Sequence, residues 1–196
     1  MAVAAELTPN ELCLLALLVE RPAHGWGLAD TLTRNGEIGQ IWSVARPLVY
    51  TALRRLDTDG YIETAGIERG DRGPHRVVYR PTNKGARTAR EWLLEPVEHV
   101  RDIRSLFLLK VVLAQRIGLD PEPLLVAQRA LVVPFVGFLE SRLEDVDPAR
   151  EPAEGTILLF RLETARTTVR LIDHLLDQVK AAKRRANRRA AQRRSR

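Results

Sequence analysis

The stretch SVARPLVYTALRRLDTDG, Ser43–Gly60, decides the reading of the N-terminal half of this chain. Pro47 fits the first turn of a helix, where its missing N–H has no partner to lose and its fixed φ is already helical. Gly60 fits the end of that helix, because glycine takes the left-handed conformation after the last turn without steric cost. Between them Val49, Ala52, Leu53 and Leu56 recur at i, i+3, i+4 and i+7, which predicts a single buried stripe. The opposite side carries Arg46, Tyr50, Thr51, Arg54 and Arg55, with no acid before Asp57. A short amphipathic helix with such a face suits the major groove of duplex DNA, where guanidinium groups reach guanine edges and phosphates. A plain solvated helix has a similar composition, since charged outer faces are the norm. The neighbouring sequence therefore has to decide.

Downstream, Tyr61–Glu68 reads as a strand and RGDRGP, Arg69–Pro74, as a turn of glycine and short polar residues. His75–Pro81 reads as a second strand, with Val77, Val78 and Tyr79 of high β propensity. A helix followed by a hairpin with Arg69 and Arg72 at its tip is the layout of a winged helix-turn-helix. The wing arginines and Arg76 are expected to reach phosphates or the minor groove beside the helix. Upstream, Thr8-Pro9-Asn10-Glu11 is a capping box that opens an apolar helix to about Val19, ended by Arg21-Pro22. A second helix is predicted from about His24 to Arg34, and Trp42 is expected to pack beneath the recognition helix.

Three runs carry a family resemblance: HGWGLA at His24–Ala29, LVYTALRRLDTDGYI at Leu48–Ile62, and YRPTNKG at Tyr79–Gly85. With them go RSLFLLKVVLA at Arg104–Ala114 and Trp42 ahead of the helix. In this order and spacing the chain resembles the PadR family of transcriptional regulators, in the subgroup with a longer C-terminal helical domain. The likeness is close over roughly residues 8–116 and one of layout beyond. It departs from the family's pattern at Arg46-Pro47, where small polar residues are usual. The resemblance implies a homodimer, double-stranded DNA as partner, and a cleft beside the linking helix where Trp92 is a candidate for stacking on a small aromatic effector. Plain packing is the competing role for Trp92.

The rest of the chain reads as helix. Thr82 caps a helix over about Asn83–Glu95, and Pro96 interrupts it. A further helical stretch runs to about Ile117 and stops at Gly118. Asp120-Pro121 starts another, Pro134 lies inside it, and a turn follows at residues 147–152. In the last helix Leu158, Leu162, Ala165, Val169, Ile172, Leu176 and Val179 step by alternating fours and threes, a heptad seam. Leu171 and Leu175 widen it. The seam predicts dimerisation; a bundle with the preceding helix of the same chain would use it too. The expected fold class is mainly α with a small β-hairpin: a winged helix-turn-helix plus a C-terminal helical, antiparallel coiled-coil-like dimerisation domain. The expected divisions are a DNA-binding domain at 1–95, a helical domain at 96–182, and a basic, disordered tail at 183–196 whose like charges repel.

Charge is unevenly spread. The net charge is +6, yet nine lysines and arginines fall between Lys180 and Arg196 with no acid among them. Residues 1–179 hold 22 basic against 25 acidic residues, a net of −3. The body is thus no general polyanion binder, and DNA contact must come from local placement of arginines or from the tail. A single cysteine, Cys13, excludes an internal disulfide and suits a reducing cytoplasm. Its apolar run, Leu12–Val19, is too short to span a bilayer, so no membrane association is expected.

Nothing points to catalysis. The histidines, His24, His75, His99 and His174, lack partners at metal-ligand spacing, and there is no phosphate-binding glycine loop or nucleophile elbow. No enzyme activity, metal or cofactor is expected. Lys110, in the apolar run Phe107–Val112, must either pair with an acid of the C-terminal domain or reach water along its stem. The function expected is regulation of transcription as a homodimeric repressor on a palindromic operator, released by an effector. The alternatives are a protein-binding winged helix and a sequence-indifferent nucleic-acid binder working through the tail.

Overall fold

The computed structural model describes residues 7–68, 75–147 and 149–194. It divides into two units: Met1–Glu95 with Arg104–Asp120, and Pro96–Ile103 with Pro121–Arg196.

The first unit is built on α1 (Pro9–Glu20). Its capping box forms as the sequence requires: the Thr8 hydroxyl accepts from the Glu11 N–H, and the Glu11 carboxylate accepts from the Thr8 N–H at 2.6 Å. Leu12, Leu14, Leu15, Leu17 and Leu18 are all buried, each contributing about 2 kcal/mol. Cys13 lies among them, and burial pushes its thiol up to about 12, so it is a small core residue without thiolate character. Then follow β1 (Ala23–His24), α2 (Gly25–Thr31), α3 (Arg46–Thr58), β2 (Ile62–Glu68), β3 (Arg76–Pro81), α4 (Asn83–Leu94) and α5 (Leu108–Arg116). The sheet has the order β1-β3-β2 and is antiparallel throughout, with a bulge in β2 between Thr64 and Gly66. The expected hairpin is therefore two of three strands. The two-residue β1 was beyond periodicity to detect.

Gly60 takes φ 71° after α3, and Gly118 takes φ 69° after α5, as their positions predict. Thr82 caps α4 through the Gly85 N–H and also donates to the Gly60 carbonyl. Trp42 packs against the core and donates its indole N–H to Asn10 Oδ1 at 2.9 Å. Helix α2 is shorter than expected, since His24 is its N-cap and Leu32 its C-cap. Residues 96–117 are not one helix either: a 3₁₀ turn at Val100–Asp102 and a π turn at Ile103–Phe107 precede α5.

Residues 104–120 belong with the first unit, whereas the sequence reading put them with the helical domain. Leu109, Leu113 and Ala114 of α5 complete the core around α1. Arg116 fastens this return, donating to Glu20 at 2.7 Å and Glu37 at 2.6 Å. Lys110 is buried, but its partner is no acid of the other unit. Its Nζ donates to the Glu95 carbonyl at 2.8 Å and lies 4.8 Å from the centre of the Trp92 ring. Burial lowers its pKa to about 8, opposed by the Glu95 charge. Trp92 itself is 5% exposed, a core residue with Lys110 against its ring. The first unit thus leaves it no open face on which an effector could stack.

The second unit is an antiparallel pair, α6 (Glu122–Glu144) and α7 (Pro152–Arg194). Its direction shows in the ion pairs Arg142–Glu154, Arg166–Glu140 and Arg129–Asp173, each at 2.7–2.8 Å. Gln128, fully buried, holds the Pro96–Ile103 segment by accepting from the Val97 N–H and donating to the Val97 carbonyl. The heptad seam is answered within the chain, as one of its two readings allows. Leu158, Leu162, Ala165, Ile172 and Leu176 are buried within one chain, Val169 and Val179 are half-buried, and α6 is the neighbour. A heptad demands a second helix without saying whose, and a tethered one is favoured by its high local concentration. The tail also differs. Helix α7 continues to Arg194, because Ala, Arg, Lys and Gln dominate the stretch and are strong helix formers. Among the described residues α6 alone is long and apolar enough to cross a membrane by length and composition.

Candidate nucleic-acid interface

Helix α3 buries the four residues that its spacing selects, Val49, Ala52, Leu53 and Leu56. At 100° per residue this stripe sets Pro47, Thr51, Arg54 and Thr58 on the outermost ridge. Arg46 and Tyr50 fall on one flank, Leu48 and Arg55 on the other. The ridge is locally tied: Thr51 Oγ1 donates to the Pro47 carbonyl at 3.0 Å, and Arg54 donates to Thr51 Oγ1 at 3.3 Å. Arg46, Tyr50, Thr51, Arg54 and Arg55 are all exposed, as the sequence predicts.

Their surroundings separate them. Arg55 stands 3.4 Å from the carboxylate of Glu11 and 3.7 Å from that of Asp59, so its charge is balanced beside α1. Arg54 has no carboxylate within ion-pair reach among the described residues. Arg46 and Arg76 converge on the ring of Trp26, at 6.0 and 5.6 Å from its centre. The wing-tip residues Arg69 and Arg72 lie outside the described residues.

Three exposed side chains escaped the sequence reading. Leu48 on α3 presents an apolar surface of the kind that meets a thymine methyl. Trp26 stands at the second position of α2, half exposed. Its run carried the family resemblance, but nothing local foretold that two distant arginines would meet it. Lys84 donates to the Asp59 carbonyl at 3.0 Å at the end of α3 and lies 3.8 Å from the centre of the Tyr61 ring. Among the described residues no group of three or more His, Cys, Asp or Glu is placed to hold a metal.

On the second unit, Leu131, Phe138, Ile157, Phe160 and Leu171 are exposed. Helical spacing puts them on one flank of the α6–α7 pair, with a cleft of about 510 Å³ between Leu131, Phe135, Phe160 and Arg161.

Among curated proteins none matches. Solved structures do: Bacillus subtilis PadR in complex with operator DNA is 19% identical, at a TM-score of 0.43 over 86% of this chain and 98% of that one. The smu.1604c protein of Streptococcus mutans UA159 is 16% identical, at 0.40 over 87% and 99%. The PadR-like transcriptional regulator BC1756 from Bacillus cereus is 16% identical, at 0.40 over 89% and 97%. The model of the transcriptional regulator PadR-like family matches residues 14–91, from the middle of α1 through the sheet into α4. Over these residues the chain is similar to the PadR-like family of transcriptional regulators.

Proposed function

We propose that this chain is a sequence-specific DNA-binding repressor that acts as a homodimer in the cytoplasm. The observation that carries the reading is α3. Its apolar stripe is wholly buried, and its outward ridge offers Thr51 and Arg54 beside Arg46 and Tyr50 with no acid among them. Arg54 and Thr51 are assigned to base edges in the major groove, with Tyr50 close to them. Arg46, Arg76 and the wing arginines, Arg69 and Arg72, are assigned to phosphates. Arg55 keeps at most a phosphate role, because it must share its charge with Glu11 and Asp59.

The second copy is assigned to the flank that carries Leu131, Phe138, Ile157, Phe160 and Leu171, in place of the heptad seam. Support comes from their contiguity, since an apolar patch of that kind on a soluble protein marks a contact surface. A two-fold pair then presents two copies of α3 to a palindromic site, with half-sites about 34–36 Å apart or a multiple of that. The cleft on the same flank is the place we assign to a small aromatic effector, in place of Trp92. Such a ligand releases DNA only by binding one dimer arrangement more tightly than another.

The direct test of the helix assignment is Arg54→Ala. It is expected to weaken binding to a selected site by about 1–3 kcal/mol and to relax preference at one base position of each half-site. Fluorescence anisotropy against the selected duplex and against single-base variants reads both effects. An unchanged affinity and an unchanged base preference would mean that α3 does not read the groove.

A further inference from the structure

Trp26 is the clearest feature of the first unit that the assignments above leave unused. Its indole is 45% exposed, although it stands at the start of a helix that buries Gly25, Leu28 and Ala29. Two guanidinium groups approach it from distant parts of the chain. Arg46 is the first residue of α3, and its Cζ lies 6.0 Å from the ring centre. Arg76 is the first residue of β3, and its Cζ lies 5.6 Å away. Among the described residues neither arginine has a carboxylate within ion-pair reach. The ring of His24 stands 6.2 Å from the indole, and a cleft of about 420 Å³ runs past His24, Tyr50, His75 and Tyr79. Gly25 lets this assembly close, since a methyl group there would stand 2.7 Å from Tyr50 Cε1.

We propose that Trp26 is a positioning residue for a two-arginine phosphate clamp, holding Arg46 of the recognition helix and Arg76 of the wing strand ready for the backbone of duplex DNA. This rests on the DNA-binding reading above. A guanidinium is planar, so a face laid toward an aromatic ring leaves its N–H edge directed outward, where it can meet phosphate oxygens. Free arginine side chains sample many rotamers, and that freedom is lost on binding. A shared aromatic platform removes much of it beforehand. The same platform links α3 to β3, so helix and wing engage the backbone in a fixed relation.

The test compares the full-length wild type with Trp26→Phe and Trp26→Ala. The probe is a duplex selected from random DNA by the wild type, with a scrambled duplex of equal composition beside it. Affinity is measured across a salt series. Trp26→Ala is expected to bind both duplexes roughly tenfold more weakly, because two cation–π interactions are removed and the arginines regain their side-chain freedom. The slope of log affinity against log salt should become shallower by about 0.9 for each phosphate no longer engaged. Phenylalanine should restore most of the affinity, and both variants should stay folded at the assay temperature, as their circular dichroism spectra report. In a background lacking Arg46 and Arg76, Trp26→Ala should change nothing.

Wild-type affinity and salt slope in Trp26→Ala would overturn the proposal. So would a loss confined to the selected duplex with the slope intact, which would make the indole a base contact. A loss that persists without the two arginines would overturn it as well. A wild type that binds neither duplex would sink the DNA-binding reading itself, and so is distinguishable from failure of the clamp alone.

Discussion

Phe160→Glu is expected to convert a dimer into a folded monomer. Phe160 is 71% exposed in the single chain, so the substitution creates no cavity and disturbs no core packing. Its fold should survive with an unchanged circular dichroism spectrum and thermal midpoint, measured at a concentration where the wild type is also monomeric. In the assigned dimer the same side chain is covered. The two-fold axis repeats the change, so each dimer would bury two carboxylates without partners. Removal of one aromatic anchor from an interface centre costs about 2–4 kcal/mol, and an unpaired buried charge adds to that. Dimer affinity should therefore fall by at least about a thousandfold. Operator affinity should fall with it, by about 10²–10⁴, because the two half-sites are then bound independently. Sedimentation velocity and anisotropy on one sample read both numbers. Leu162→Glu makes the contrast. Leu162 is 2% exposed against α6, so that variant should lose stability before it loses association.

The second large effect concerns folding of the first unit. Gly85 is the third residue of α4, and an added Cβ would overlap the carbonyl oxygen of Tyr61. That oxygen is not free to retreat, because it accepts from the Thr82 N–H at 3.0 Å at the junction of α3, β2 and α4. Leu15 of α1 closes the other side, 3.2 Å from the same point. Gly85→Ala must therefore separate α4 from the end of α3, against a core that cannot follow. The expected cost is about 3 kcal/mol, at the upper end for overpacking. For a unit of this size that lowers the thermal midpoint by on the order of 10–20 °C. Calorimetry on the variant reads it. A midpoint within a degree or two of the wild type would mean that α4 does not pack as described. The helix propensity gained with alanine, about 1 kcal/mol, works in the opposite direction and is too small to compensate.

The local grammar of the first unit was legible because each signal had one physical outcome. The Thr8–Glu11 box could only start a helix, and it did. The spacing of Val49, Ala52, Leu53 and Leu56 could only bury one face of α3. Gly60 and Gly118 could only end helices in the left-handed conformation. Signals that depend on which distant element answers them were not legible. The seam from Leu158 to Val179 required a helical neighbour, and sequence does not distinguish α6 from a second chain. Lys110 required an acceptor, and the one it found was a backbone carbonyl, which no composition rule predicts. Trp92 stood between packing and ligand stacking, and the burial that favours packing comes partly from Lys110, a residue of α5. The same holds for the candidate site: which residues α3 exposes was readable, but Arg55's acids and the arginines that meet at Trp26 come from elsewhere in the chain.

The central claim is that two copies of α3 read duplex DNA from a fixed separation. Selection of bound sequences from random DNA by the purified protein tests it most directly. The account predicts enrichment of a palindrome whose half-sites are about 34–36 Å apart, or a multiple of that. Arg54→Ala protein should select the same spacing with one position in each half relaxed. Enrichment of no sequence, or of a single unrepeated half-site, would contradict it.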